Sequence, residues 1–355
     1  MPGRLLIFSP NWLGDAVMAL PAMAAVRTAW PEARLAVAVR RPLAPLFESV
    51  PLVQAIVPLD SRSAYSDRMR AVADAERVRA GEFDTALLLP NSFASAWLAR
   101  RAGIPERWGY RGDFRRLLLT NSMPRPSRRG HQSEYYQGLV ECLTTGHGRR
   151  AAGQGPHNGP LLQPSSRILA RARELLVARG WRENAPLVGL APGAAYGHAK
   201  RWPPARFAAV LKALAAAGVQ SVVVGSTGDV DAARELEQAL GDEARSLGWI
   251  DLVGRTDLST LLGILAACLA VVTNDSGAMH LAAALGIPVT VMFGPTNERT
   301  TAPLPIGGEP ARAHAVLVKT AWCRPCMLRD CPIDHRCMTR ITVDDVLEAV
   351  RKQLG

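Results

Sequence analysis

From Ala270 to Thr296 the chain reads AVVTNDSGAMHLAAALGIPVTVMFGPT, and few folds accommodate such a stretch. Ala270 to Thr273 is short, apolar and β-branched, which suits a strand buried in a parallel sheet. Asn274, Asp275, Ser276 and Gly277 follow at once and supply a capping residue and a flexible position where a helix starts. Ala278 to Leu285 favours helix, and Gly286 with Pro288 stops it. Pro288 to Phe293 is the next strand, closed by Gly294-Pro295. This order puts free backbone N–H groups and a helix start at the carboxyl edge of a parallel sheet, a corner that attracts phosphate or diphosphate. Asp275 repels a phosphate, so it suits ribose or sugar hydroxyls, or a capping role. His280 lies one helical turn after Ser276. It either faces the same ligand or packs in the core, and the stretch alone leaves both open.

The same alternation runs through the chain and predicts an α/β protein with parallel sheets covered on both faces. Leu5 to Phe8 is the first strand, Ser9 to Gly14 a loop, and Asp15 opens a helix to about Trp30. Strands are expected at Leu35 to Val39, Ala55 to Pro58 and Thr85 to Leu89, with a helix at Met69 to Ala80. Arg107 to Arg129 is crowded with arginine, and His131 to Leu143 is helical. Gly146 to Pro164 is rich in Gly, Pro and polar residues and reads as a linker. A second pattern follows. Its helices fall at Ser166–Arg179, Arg206–Ala217, Val230–Leu240, Ser259–Ala267 and, last, about Val343–Leu354. Its further strands fall at Leu187–Ala191, Ser221–Gly225, Asp251–Val253 and Ala315–Val318. The 355 residues thus divide into two doubly wound domains with a ligand crevice expected between them.

Net charge is +11 and the pI about 10.0. Nucleic acid, an anionic membrane surface and an acidic small substrate all fit that balance. Among the basic residues only Lys200, Lys212, Lys319 and Lys352 are lysines, so coding bias accounts for part of it. With no zinc finger, RNA-binding signature or regularly spaced basic helix, nucleic acid is the weaker partner. The longest apolar run, Leu261 to Thr273, is too short to span a bilayer. The opening MPGRLLIFSPNWLGD lacks a signal-peptide core, which leads to the expectation of a cytoplasmic protein.

Asp15 stands at the carboxyl end of the first strand, where open α/β sheets bind ligands. As a helix cap it needs no other role, since a capping Asp contributes roughly 0.5–2 kcal/mol. A functional role requires a cleft-facing carboxylate that accepts a proton from an attacking hydroxyl. Lys200, Arg201 and Trp202 lie in a Gly-containing loop. Lys200 can neutralise a diphosphate leaving group that the Pro192-Gly193-Ala194 backbone approaches closely. No P-loop is present, nor a GxGxxG that opens a helix, which disfavours a P-loop ATPase or a dinucleotide dehydrogenase.

Four segments in order, PNWLGDAVMALPA, PGAAYGHAKRWPPARFA, TNDSGAMHLAAALGIPVTVMFGPT and CRPCMLRDCPIDHRCMTRI, resemble the ADP-heptose:lipopolysaccharide heptosyltransferases. PNWLGD and AKRWP are most similar to the heptosyltransferase II branch. The resemblance covers nearly the whole chain. It implies a GT-B architecture: an acceptor-binding domain over 1–160, an ADP-heptose-binding domain over 161–340, and a final helix over 341–355 that returns to the first domain. It implies inverting transfer of L-glycero-D-manno-heptose to the first heptose of the lipopolysaccharide inner core, with Asp15 as general base and Lys200 on the donor phosphates. Asp275, Ser276, Gly277 and His280 fall on the donor-binding loop, with Gly193, Ala194 and Arg201 beside it and Thr256 where the adenine packs. Asn11, Tyr110, Arg111, Arg115 and Arg116 fall on the acceptor side, facing Kdo carboxylates and phosphates. The acceptor, Kdo-lipid A bearing one heptose, implies peripheral residence on the cytoplasmic face of the inner membrane. A sister heptosyltransferase (I or III), another nucleotide-sugar transferase, and a non-catalytic nucleotide-sugar or lipid-binding protein are the alternatives. Intact Asp15, Lys200 and Asp275 argue against the last.

No paired carboxylates sit where a metal would bridge the diphosphate, so no obligatory catalytic metal is expected. Cys142 and Cys268 read as buried small hydrophobes. Cys323, Cys326, Cys331 and Cys337 form C-x2-C-x4-C-x5-C around His335. That spacing allows a zinc or iron–sulfur site but is not the paired zinc-ribbon form. A cytoplasmic disulfide is disfavoured. The family is not known as one of metalloenzymes, and whether these cysteines hold a structural metal stays open.

Overall fold

Among the described residues twelve short strands build two sheets, one in each of two units, Met1–Gly155 and Pro156–Gly355. The structure, a computed structural model, describes residues 2–61, 67–127, 130–148, 160–305 and 313–355. Most of the expected linker, together with Arg128 and Arg129, lies outside the described residues.

In the first unit β1 (Arg4–Phe8), β2 (Arg34–Arg40), β3 (Ala55–Leu59), β4 (Thr85–Leu88), β5 (Glu106–Tyr110) and β6 (Asn121–Met123) are all parallel, in the order β3-β2-β1-β4-β5-β6. Of the two central strands, β1 is buried from Leu5 onward and β4 throughout, as a sheet covered on both faces requires. In the second unit β7 (Leu187–Ala191), β8 (Gln220–Val223), β9 (Ile250–Asp251), β10 (Ala270–Asn274), β11 (Val289–Phe293) and β12 (Ala315–Val318) repeat the scheme as β12-β11-β10-β7-β8-β9. Strand order therefore reverses between β1 and β4 in one unit and between β7 and β10 in the other. Loops leaving the carboxyl ends of those four strands are where a doubly wound sheet receives a ligand.

The helix expected from Asp15 to Trp30 is broken in two, Leu13–Met18 and Leu20–Ala29, with Ala19 as the joint. Pro21 is the physical reason: it has no N–H to give the preceding turn, yet suits the first turn of a new helix. Helix Phe93–Arg101 lies in a stretch for which the sequence reading gives no element, and strands β5 and β6 fall at and within the arginine-rich run, where charge hides an apolar pattern.

In the second unit the core gathers around Trp202, fully buried and set edge-to-face on Phe207 with centroids 5.1 Å apart. The Trp202 indole N–H donates to the Ile341 carbonyl at 3.0 Å. Helix Val343–Leu354 starts in a Thr342/Asp345 capping box. Its buried Val346, Leu347 and Val350 join that same core, and the helix packs on helix Pro204–Ala216 and on β10, β11 and β12. The helix is thus part of the second unit's core.

Candidate active site

In the second unit the reversal point is tied by one side chain. Asn274, the last residue of β10, is fully buried. Its amide donates to the Pro192 carbonyl at 2.7 Å, and its Oδ1 accepts from the Trp202 N–H at 3.0 Å. The loop after β7 is thereby stitched to the end of β10. With Trp202 anchored in the core, Lys200 in the turn His198–Lys200 is held over the next residue, Asp275. Lys200 Nζ donates to Asp275 Oδ2 at 2.6 Å, and the Thr296 hydroxyl donates to the same oxygen at 2.7 Å. Both charged side chains are largely buried. The Tyr196 ring lies 4.9 Å from Nζ. An ammonium has three protons, so pairing with Asp275 leaves donors for an anion.

Ser276 caps helix Gly277–Ala284 by position. Its hydroxyl meets Thr273 Oγ1 at 3.0 Å rather than closing a side-chain cap, so the first-turn N–H groups stay clear of it. His280 is buried inside that helix. Arg201 is half-buried, and among the described residues nothing accepts from its Nε. Gly193 is close-packed for a reason internal to the fold: a Cβ there would run into the Asp229 side chain. Asp229 in turn accepts from the Ser226 N–H at 2.9 Å and closes the turn after β8. Ala194 is buried beside Gly193. Thr256 is half-buried in the loop after β9, one residue before the Asp257 cap of helix Leu258–Ala266.

In the first unit Asp15 is the third residue of its helix, not the cap; Trp12 holds that position. The Asp15 carboxylate instead accepts from the Tyr136 hydroxyl at 3.2 Å. Burial raises its pKa above the usual 3.8, and the Tyr136 hydrogen bond opposes part of that rise. Tyr136 belongs to helix Gln132–Gly146 and is itself buried, which pushes its phenol well above the usual range, so it stays a donor.

A cavity of about 110 Å³ opens at the carboxyl ends of β1 to β4. Asn11 lines it, as do Ser9, Arg40, Ser61 and Ser92. Arg40 and the three serines are isolated polar residues at strand ends and carry no periodic signal in the sequence.

The arginine-rich stretch divides. Arg111 and Arg116 are exposed. Arg115 is completely buried and donates to the carbonyls of Tyr110 (2.9 Å) and Pro90 and to Asn91 Oδ1 (3.2 Å). Among the described residues no carboxylate pairs with it, and desolvation pulls its pKa down to about 10. Tyr110 is buried, donates to the Tyr135 carbonyl at 3.1 Å and packs on the Tyr135 ring at 4.6 Å. Arg115 thereby shapes the loop after β4, which lines the cavity, and Tyr110 ties β5 to helix Gln132–Gly146.

Comparison with known proteins follows the same lines. The description that matches residues 72–336 is Glycosyltransferase family 9 (heptosyltransferase). This chain belongs to glycosyltransferase family 9. It is 32% identical over 310 residues to lipopolysaccharide heptosyltransferase 2 of Salmonella typhimurium, covering 85% of each chain. The protein of that name from Escherichia coli is equally similar, with 32% identity and 85% coverage of each. The solved structure of E. coli ADP-heptose lps heptosyltransferase II superposes with a TM-score of 0.80 at 30% identity, over 99% of this chain and 98% of that one. The family 9 chain is thus a glycosyltransferase with the two Rossmann-like, doubly wound domains of GT-B architecture.

Proposed function

We propose that this family 9 enzyme transfers L-glycero-D-manno-heptose from ADP-heptose to the first heptose of the lipopolysaccharide inner core, with inversion. The observation that carries the reading is the likeness to lipopolysaccharide heptosyltransferase 2 across 85% of both chains. Asp15 is the general base. It takes the proton of the acceptor hydroxyl as that oxygen attacks the anomeric carbon; the new C–O bond forms on the face opposite the breaking bond to diphosphate, and ADP leaves. What supports this role is its raised pKa and the Tyr136 hydrogen bond that fixes the carboxylate.

Lys200 bears the charge that develops on the departing diphosphate, helped by Arg201 and the first-turn N–H groups after Ser276. Gly193, Ala194, Gly277, His280 and Thr256 complete the donor side, with Asp275 orienting Lys200 as well as reaching sugar hydroxyls. Asn11 and Arg40 in the first unit's cavity hold the acceptor, Arg40 facing its carboxylates or phosphates. Arg111 and Arg116 flank Phe114 (98% exposed) and Leu117 (85% exposed), a combination suited to an anionic membrane surface on the cytoplasmic side. No helix among the described residues is long and apolar enough to cross a membrane.

Purified enzyme given ADP-heptose and Kdo-lipid A carrying no heptose or one should extend only the second. Asp15→Asn should lower kcat by about 10²–10⁴-fold. Preference for the heptose-free acceptor would transfer the assignment to a sister enzyme, and wild-type turnover by Asp15→Asn would remove the base.

A further inference from the structure

Between the end of β12 and the short helix Arg336–Thr339 the chain has neither helix nor strand. Trp322, Met327, Leu328 and Ile333 point outward, so no core of its own holds this segment. Yet it supports the donor loop at three points. Ala199 N–H donates to the Arg329 carbonyl at 2.8 Å, the Tyr196 hydroxyl donates to the Met327 carbonyl at 2.9 Å, and His335 Nε2 meets the Ala199 carbonyl at 2.9 Å. A long irregular segment that must stay in place needs a staple other than apolar burial.

The sequence supplies one. Cys323, Cys326, Cys331 and Cys337 all line a single cavity together with His335 and Arg336. All four thiols are free. The cavity measures about 10 Å³, room for one water or one ion. A carbonyl only accepts, so His335 carries its proton on Nε2 and acts as a strut to the donor loop, while its Nδ1 keeps a lone pair beside the four sulfurs, the softer ligands of the set.

We propose that Cys323, Cys326, Cys331 and Cys337 bind one thiophilic divalent cation, zinc or ferrous iron, as a tetrahedral four-thiolate site that staples the tail beneath the Lys200 loop. Among the described residues no three such side chains are already gathered for a metal, so the thiols turn into the cavity on binding, to sulfur–metal distances of about 2.3 Å. Four thiols give up four protons, and M²⁺ with four thiolates leaves a site of charge 2−, with Arg336, itself paired to Asp334 at 2.9 Å, at its wall.

Untagged full-length protein, purified under reducing conditions and measured by inductively coupled plasma mass spectrometry, is expected to carry about one zinc or iron per chain; the element found decides between the two. Cys331→Ser should lose it. Co²⁺ added to reduced, metal-stripped protein should give sulfur-to-cobalt charge-transfer bands with intense tetrahedral d–d bands, and Cys331→Ser should give neither. Because Cys337 is buried and its variant risks misfolding, hydrogen exchange on the stripped wild type is the second readout: backbone amides of residues 194–200 should exchange faster than in the loaded form. Metal-free folded protein that shows no cobalt–thiolate bands overturns the proposal. So do four cysteines found as two disulfides after reducing purification. Neither readout depends on heptose transfer, so this site and the transfer reading can fail separately.

Discussion

At Asp15 burial and one hydrogen bond pull in opposite directions, and pH separates them. Burial raises the carboxyl pKa; the Tyr136 hydroxyl, which bonds the carboxylate, lowers it. With Asp15 as the proposed base, turnover requires its ionised form, so the acid limb of kcat/KM should lie above 3.8, with activity lost as pH falls through the raised value. Tyr136→Phe removes the lowering partner and should move that limb to higher pH, as a pH–rate profile of the two proteins would reveal. The stability linkage has the opposite sense: a carboxylate disfavoured by folding subtracts stability as pH rises from 3.8 through the raised pKa, and the loss is constant above it. Arg115 makes a different case. It is a buried cation with neutral partners only, and several carbonyls depend on it. Arg115→Met should cost about 3 kcal/mol in urea unfolding, whereas Arg116→Met, at an exposed position, should cost less than about 0.5 kcal/mol.

Elements with an uninterrupted apolar run declared themselves in the sequence; elements at the sheet rim did not. β7, β10 and β11 are buried throughout, and Leu187–Ala191 was expected at its observed bounds. β5 reads ERWGY and β6 reads NSM; both lie toward the edge, where half-burial removes the apolar signal. The site follows the same division. Lys200 and Asp275 stood out because each lies in a loop next to a recognisable strand or turn, and the fold brings them to 2.6 Å. Tyr136 and Thr296 escaped notice, since only tertiary packing carries a hydroxyl across 121 or 21 residues to its carboxylate. Asp15 looked like a cap, and the shift of helix start to Leu13 frees it from that duty. At Gly193 the sequence predicts a backbone that approaches a diphosphate closely, and in the structure the Asp229 side chain lies where a Cβ at this position would stand. Gly193→Ala should therefore displace the loop that carries Lys200 and weaken ADP binding about tenfold or more, measurable by calorimetry, with little change in affinity for the acceptor.

On the scale of the whole molecule, two sheets with one strand order divide the labour: the first offers a partly buried carboxylate and a cavity with Arg40, the second a buried cation–carboxylate pair at a helix start. The net charge of +11 acts over both. Binding to vesicles containing anionic lipid should weaken steeply between low salt and about 0.5 M, where the screening length drops well under 10 Å. Phe114→Ala with Leu117→Ala should reduce what remains, as sedimentation with the vesicles would measure.

One amide has a further consequence. Asn274 gives protons to the Pro192 and Gly193 carbonyls and takes one from Trp202. Exchange of its nitrogen for oxygen, the change deamidation makes, would set an acid oxygen against two carbonyl oxygens in a site with no water access. The same exchange introduced as Asn274→Asp would therefore unpick the seam between two loops from inside while the helices stayed intact.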